Sequence, residues 1–366
     1  MTSIFQKRRD NLLDHLAACD LSAAMLSDPI SIAFFTGVKI KPYERFLGLV
    51  MDGRNRCASL VLPSLERSAI ADPGVVKVFC GDHENPMACL ADLLNGIDRL
   101  GVEKNSLALG LADTMAHHLN VQLLDIGEFV VGQRLLKDSS EVDIIRKAAG
   151  YSDAVYEHIA PMIKPGVSEK SIMFAILDNL SRQPDVLLDD FVIQVLSGVN
   201  SANPHGSSGD RVFEKGDAVT IDFVVNYRHY WSDCTRTFFA GRPPEAMVEI
   251  YNTVLSAQQK ALSIAGPGVP LMDIDLAARG VIEKAGYGDC FIHRTGHGIG
   301  MEMHEAPSIH CNNKMLAEPG MVFTVEPGIY VPDLGGVRIE DDLFVSGSGT
   351  EIITGYPKDF AFMVIE

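Results

Sequence analysis

Two neighbouring apolar runs each carry an aspartate where a strand is expected to be driest. Asp222 sits in Ala218–Val225 (AVTIDFVV), and Asp233 follows eleven residues later in His229–Phe239 (HYWSDCTRTFF). Runs rich in β-branched and aromatic residues read as strands, and Asn226-Tyr227-Arg228 lets the chain turn back, so the pair is expected to form a β-hairpin. A charge inside such a run is costly unless it is paired, hydrogen-bonded or bound to a metal. Three further residues join these two: His297 in RTGHGIG, Glu326 at the end of MVFTVEP and Glu340 in GGVRIEDDLFV. Strand alternation puts Val322, Thr324 and Glu326 on one face of 321–326, and Arg338 with Glu340 on one face of 336–345. Any one of these acids alone reads equally well as a surface ion pair. Taken together they read as a metal cage, because four adjoining carboxylates repel one another unless divalent cations sit between them. One imidazole with four carboxylates suits one or two ions such as Mn²⁺, Co²⁺, Fe²⁺ or Zn²⁺.

The rest of the chain frames that cluster. Its 366 residues allow two domains. Residues 4–18 have helical spacing (Ile4, Phe5, Leu12, Leu13, Leu16). Short apolar runs follow at 23–28, 46–53, 57–63, 75–81 and 107–113, each bounded like a strand, with a helical pattern over 87–100. A mixed α/β domain over 1–133 is therefore expected, with a boundary near 130–138. In 134–366, helices are expected from Glu141 to about Ile163, from Glu169 behind an N-cap at Ser168, from Pro243-Pro244 to about Ala265, and over Leu271–Ala285. Helices around a mostly antiparallel sheet describe an α+β domain. His83, His117 and His118 have no ligand partners nearby and read as surface residues.

The chemistry narrows further by exclusion. The net charge of −17, without a Lys/Arg tract, argues against nucleic acid or anionic membrane as partner. No apolar run is long enough to span a bilayer, and the polar N-terminal stretch does not build a signal peptide, so a soluble cytoplasmic protein is expected. The seven scattered cysteines read as free thiols. Cys234 follows a candidate ligand on a strand, so it is expected to point to the opposite face and pack. There is no HExxH zinc signature, and GHGIG lacks the GxGxxG spacing of dinucleotide sites. His205 (NSANPHGSSGD) and His304 (MEMHE) lie in loop-like stretches. Alone, such a histidine reads as solvent-exposed.

Five segments in order are NPHG, the Asp222/Asp233 pair with YWSDCTRT, HRTGHGIGMEMHE, GMVFTVEPGIY and GGVRIEDD. Together they resemble the motifs of the pita-bread metallopeptidases: prolidase, aminopeptidase P and methionine aminopeptidase, with creatinase as a metal-free relative. The resemblance covers about 200–345 by motif and nearly the whole chain by its two-domain layout, and it is closest to the proline-specific branch. It implies a C-terminal pita-bread domain behind a creatinase-like N-terminal domain, and hydrolysis of the bond before proline by a water activated between two divalent ions, with Mn²⁺ expected. It further implies that Asp222 binds one ion, His297 and Glu326 the other, and that Asp233 and Glu340 bridge. Glu326 would also shuttle the proton, while His205 and His304 would contact substrate and stabilise the oxyanion. His293 would line the pocket, and Arg338 would orient Glu340. A homodimer formed through the N-terminal domain is the implied assembly, and a small Xaa-Pro peptide the implied partner. The family's Asp-Phe-Gly becomes Asp222-Phe223-Val224 here, which puts a branched side chain on the face of Asp222. The alternatives are a creatinase-like hydrolase or lyase of a small non-peptide compound, and a binding module without catalysis.

Overall fold

The computed structural model describes residues 3–189 and 192–366. They form two compact units, 1–134 and 135–366.

The first unit holds a six-stranded sheet. Its spatial order is Val75–Cys80, Cys57–Pro63, Gly48–Asp52, Ala23–Leu26, Arg99–Val102 and Gln122–Asp125. The inner strands Ala23–Leu26, Gly48–Asp52 and Cys57–Pro63 pair antiparallel, and the flanking pairs run parallel. Residues 107–113, read as a strand from their apolar character, instead enter the helix Leu109–Leu119. The spacing explains why: Leu107, Leu111, Met115 and Leu119 recur every four residues, and all four pack into one cluster against the sheet. The helical pattern over 87–100 is cut at Leu93, and its tail becomes the strand Arg99–Val102. Gly96, with φ of 75°, makes the break.

The second unit is organised by one long ladder. Strands Ala218–Tyr227 and Tyr230–Ala240 pair antiparallel over their whole length. The turn is Arg228-His229, one residue shorter than the expected three-residue loop 226–228. Both residues adopt positive φ (49° and 71°), which matches the twist a two-residue hairpin needs. Arg228 is held there by an ion pair to Asp185 at 2.5 Å.

The register decides what each face carries. Asp222 lies opposite Thr235, and Val224 opposite Asp233. Directly opposed residues share a face, so Thr220, Asp222, Val224, Asp233, Thr235 and Thr237 lie together. The other face presents Ile221, Phe223, Cys234 and Phe238 to a continuous apolar core. Helix Ser139–Ile159, opened by a capping box between Asp138 and Glu141, packs there. Its Tyr156 packs at a tilt against Phe223 and Phe238 and donates its hydroxyl between the carbonyls of Ile221 and Cys234, at 2.9 and 2.8 Å.

A five-stranded antiparallel sheet completes the unit, in the order Glu305–Ile309, Gly296–Gly298, Val322–Val325, Asp341–Ser346 and Gly349–Ile352. The run 336–345 is not one strand. Gly335–Arg338 pairs with Gly328–Val331 in a separate ribbon, and Asp341–Ser346 joins the five-stranded sheet. Glu340 lies in the gap between them, where its N–H donates to the carbonyl of Thr235 on the long ladder.

Removing the Tyr156 hydroxyl takes away the single proton shared between these two buried carbonyls. Tyr156→Phe is expected to cost about 1–3 kcal/mol, seen as a lower urea midpoint at unchanged slope. An unaltered midpoint would show that the hydroxyl contributes nothing to holding helix and ladder together.

Candidate metal centre and substrate site

Three overlapping sets of donor atoms converge on the polar face of the ladder. Asp222, Asp233 and Glu340 form one set, His297, Glu326 and Glu340 a second, and Asp233, His297 and His304 a third. Within each set the donor atoms lie within 4.8 Å of one another. The five residues singled out in the sequence as a cage are thus brought together, and His304 stands at the rim among them.

Each is delivered by a different local device. Asp222 and Asp233 come from the ladder, two residues out of direct opposition and so on the same face. His297 sits on a three-residue strand between two closely spaced neighbours. A Cβ on Gly296 would lie 1.9 Å from the carbonyl oxygen of Thr324, and one on Gly298 would lie 2.0 Å from that of Ala306. These glycines are therefore required by close packing of strands on both sides of His297. The His297 Nδ1 faces the carbonyl of Gly298 at 3.2 Å, which directs Nε2 into the cage, 3.2 Å from Glu326 and 3.9 Å from Asp233. Glu326 follows immediately after the strand Val322–Val325, with its N–H donating to the carbonyl of Thr295. Glu340 accepts from the Thr235 hydroxyl at 2.6 Å.

The electrostatics are those of an unfinished site. Asp233 and Glu340 are buried, and one oxygen of each (Oδ1 and Oε1) has no hydrogen-bond partner among the described residues. Burial first, and then the charges of the surrounding carboxylates, push both carboxyls well above their ordinary range. Burial acts on Glu326 in the same direction, but its contact with His297 and the charges of His293 and Arg338 outweigh it, to about 2. Buried carboxylate oxygens without donors, beside an imidazole whose Nε2 points into the same cage, are a donor set that fits divalent cations.

Around the cage runs a network only partly legible from the sequence. Arg338, read as orienting Glu340, donates instead to Asp222 at 2.6 Å. It reaches Glu340 only through the Thr235 hydroxyl, at 3.2 Å. Its remaining donors meet Tyr330 at 2.9 Å and Gln194 at 3.2 Å. The Tyr330 hydroxyl also meets Nε2 of His293 at 2.9 Å. Desolvation lowers the pKa of His293. Asp342 accepts from the Ser232 hydroxyl and from the N–H of Asp233, and burial raises its carboxyl to about 7. Tyr330, Gln194, Thr235 and Asp342 were not singled out as site residues. The signal existed for Gln194, a lone amide in an apolar strand, and for Thr235, two residues beyond Asp233 on the same face.

His304 packs its ring against that of His297, centroids 3.9 Å apart, and loss of water followed by the nearby His297 lowers it to about 4. His205 is exposed on its loop, and its ring makes no hydrogen bond to a described residue. Val224 is buried opposite Asp233, and Cys234 packs in the apolar core on the other face. His83, His117 and His118 are exposed. All seven cysteines are free. Among the described residues, no helix is long and apolar enough to cross a membrane.

The profile of metallopeptidase family M24 matches residues 143–347, which include the whole cage. The chain belongs to metallopeptidase family M24. A creatinase/prolidase N-terminal domain profile matches residues 8–136. A Staphylococcus haemolyticus protein named Uncharacterized peptidase SH1217 is 38% identical over 92% of this chain and 95% of its own. The solved Xaa-Pro dipeptidase from Bacillus anthracis superposes with a TM-score of 0.90 at 32% identity, covering 99% of this chain and 100% of that one. The prolidase from Pyrococcus horikoshii gives 0.86 at 30% identity, covering 97% and 99%. The fold is thus the pita-bread fold of M24 behind a creatinase-like N-terminal domain. M24 membership makes this chain a metallopeptidase and implies divalent metal at a carboxylate–histidine cluster of this kind.

The raised carboxyls give metal removal a definite pH dependence. In metal-free protein Asp233 and Glu340 hold protons more tightly than in the unfolded chain. Their stabilising contribution is full below the ordinary carboxylate range and is lost as pH rises through the raised values. Glu326, lowered to about 2, contributes with the opposite sign, but its contribution is already complete above about pH 5. Chelator-treated protein should therefore fall further below Mn²⁺-loaded protein in melting temperature at about pH 8 than at about pH 5. Equal gaps at the two pH values would contradict this account of the cage.

Proposed function

We propose that this M24 peptidase hydrolyses the bond preceding proline in short peptides, as an Xaa-Pro dipeptidase. Asp222, Asp233, His297, Glu326 and Glu340 would hold two divalent ions, Mn²⁺ being the expected metal. The observation that carries the reading is the cage itself, with two buried carboxylate oxygens lacking a donor among the described residues, in a chain similar along its whole length to a solved Xaa-Pro dipeptidase. Similarity to the X-Pro aminopeptidase from Thermotoga maritima is slightly lower, at 29% identity, and makes Xaa-Pro-Yaa peptides the second substrates to try.

Bound divalent ions would lower the pKa of a water in the site and polarise the scissile carbonyl. The chain's own groups would do the rest. Glu326 lies at the cage edge with its side chain 15% exposed, placed to accept a proton from that water and return it to the departing proline nitrogen. His304, neutral at pH 7, and His205 can each donate an N–H to the developing oxyanion, a contribution worth about 3–4 kcal/mol per donor in other hydrolases. Arg338 and Tyr330 hold Asp222 and His293 in register from behind. A creatinase-like reaction without metal would leave the two donorless oxygens unexplained.

Mn²⁺-loaded protein should cleave Xaa-Pro dipeptides in preference to matched Xaa-Ala dipeptides. Protein with bound metal that cleaves neither Xaa-Pro nor Xaa-Pro-Yaa peptides would overturn the proposal. Asp233→Asn should lower kcat/KM by more than about 100-fold, because even groups outside a metal's ligand shell cost 10–100-fold. Near-native activity in that variant would remove Asp233 from the ligand set.

A further inference from the structure

The loop that carries His205 is held shut by a buried carboxylate outside the cage. Glu169 is the first residue of the helix Glu169–Ser181 and is fully buried. Its Oε1 accepts from the N–H of Ser197 at 2.7 Å, the Ser197 hydroxyl at 2.8 Å and the side-chain amide of Asn200 at 3.1 Å. Its Oε2 accepts from the N–H of Gly209 at 2.8 Å. Ser197 and Gly209 are the two ends of the loop, so one side chain ties both ends together. The backbone reinforces the tie: the N–H of Lys170 donates to the carbonyl of Gly209, and that of Glu169 to the carbonyl of Arg211.

A stretch with Gly198, Gly206 and Gly209 among serines and a proline has many conformations to lose. An exposed histidine on such a loop can serve a reaction only if its place is fixed, since an error of about 1 Å at a reacting group is costly. Four donors converging on Glu169 are met by a group that only accepts. A glutamine of the same shape would turn an N–H₂ toward one set of donors and release that end of the loop. The middle of the loop is tied separately to the cage. Gln194 donates to the carbonyl of Gly206 at 2.6 Å and accepts from Arg338, which holds Asp222.

We propose that Glu169 is a positioning residue for the reaction: by closing the base of the loop 197–209 it sets where His205 stands. The role of His205 rests on the peptidase reading above, whereas the closure of the loop does not. The test uses full-length, Mn²⁺-loaded protein and three variants: Glu169→Gln, Asn200→Ala and His205→Ala. Hydrogen–deuterium exchange should rise about tenfold or more in peptides covering 197–209 of Glu169→Gln, with the ladder strands unchanged. On an Xaa-Pro dipeptide, kcat/KM should fall about 10–100-fold at undiminished metal content, as for other groups that hold an active residue in place. Combined with His205→Ala, the same change should add less than about twofold, because both substitutions remove one function.

Unchanged loop exchange would overturn the proposal, and so would an undiminished further loss in the His205→Ala background. If Glu169→Gln does not fold, Asn200→Ala, on an exposed residue, removes one tie and should show the same pattern at about threefold. A wild-type protein inert toward every Xaa-Pro peptide would sink the peptidase reading instead. The exchange result would then decide the closure alone, raised exchange sustaining it and unchanged exchange refuting it.

Discussion

Mutual repulsion among buried carboxylates is the constraint to which the catalytic unit is built. Two like charges about 4 Å apart cost about 4 kcal/mol at the effective dielectric of a protein site. A typical hydrogen bond returns about 1 kcal/mol, so the hydroxyl of Thr235 cannot offset what Glu340 meets from Asp222, Asp233 and Glu326. The protein leaves this imbalance in place. Arg338 pairs directly with Asp222, and among the described residues no basic side chain reaches the free oxygens of Asp233 and Glu340. Without a cation these two acids relax by keeping their protons, and the strength of that pull is also what makes them ligands.

Holding such a cluster requires a scaffold that does not yield, and the long ladder supplies it by dividing its two faces. One face is dry from Ile221 to Phe238 and locked to a helix by Tyr156. The exception on that face is Arg236, fully buried and ion-paired to Asp341 at 2.8 Å. Arg236 also donates to the carbonyl of Glu340 at 2.5 Å and to that of Tyr356. Asp341 accepts in addition from Gln258, Thr354 and Lys358. A buried ion pair of this kind is a poor source of net stability. Its geometric effect is clear, however: it fixes the backbone of the one ligand that lies between strands. Glu340 is held from behind by Arg236 through its carbonyl, from the ladder by Thr235 through its N–H, and from the front by the same residue's hydroxyl.

What could be read in the sequence follows from that division. Alternation along a strand placed Cys234 on the face opposite Asp233 and Val224 on the face of Asp222, as the structure has them, because two long strands in unbroken register obey a period of two without exception. Alternation failed where the chain changes partners. Glu340 was read as part of a strand with Arg338, yet it sits in the gap where one ribbon ends and another sheet begins, and no local pattern announces that switch. The same gap separates Arg338 from the carboxylate it was expected to orient and hands it to Asp222. The turn at Arg228-His229 is not announced by the sequence because it holds none of the Gly, Asn or Asp residues that mark two-residue hairpin turns. The segment 107–113 was misread because a four-residue apolar spacing was truncated before its period could show. Groups marked by a charge in an apolar run were the most legible. Groups that matter through contacts across the fold, such as Tyr330 and Asp342, were the least.

The contacts that escaped the sequence join the site into one connected body. From the loop of His205 the path runs through Gln194 to Arg338, and from there to Asp222 on one side and Thr235 with Glu340 on another. A third branch leads through Tyr330 to His293. Every link is a hydrogen bond between buried or half-buried groups, where low dielectric strengthens satisfied contacts and penalises broken ones. Residues joined in this way do not contribute independently. Arg338 is the node, because its planar guanidinium meets a carboxylate, an amide, a phenol and a hydroxyl in fixed directions. Lysine, a single point charge on a flexible stem, could neutralise Asp222 but could not hold the other three in register. The cage and the groups that would face substrate are therefore coupled through the geometry of one side chain, and the loop of His205 shares in that coupling only while its base stays closed.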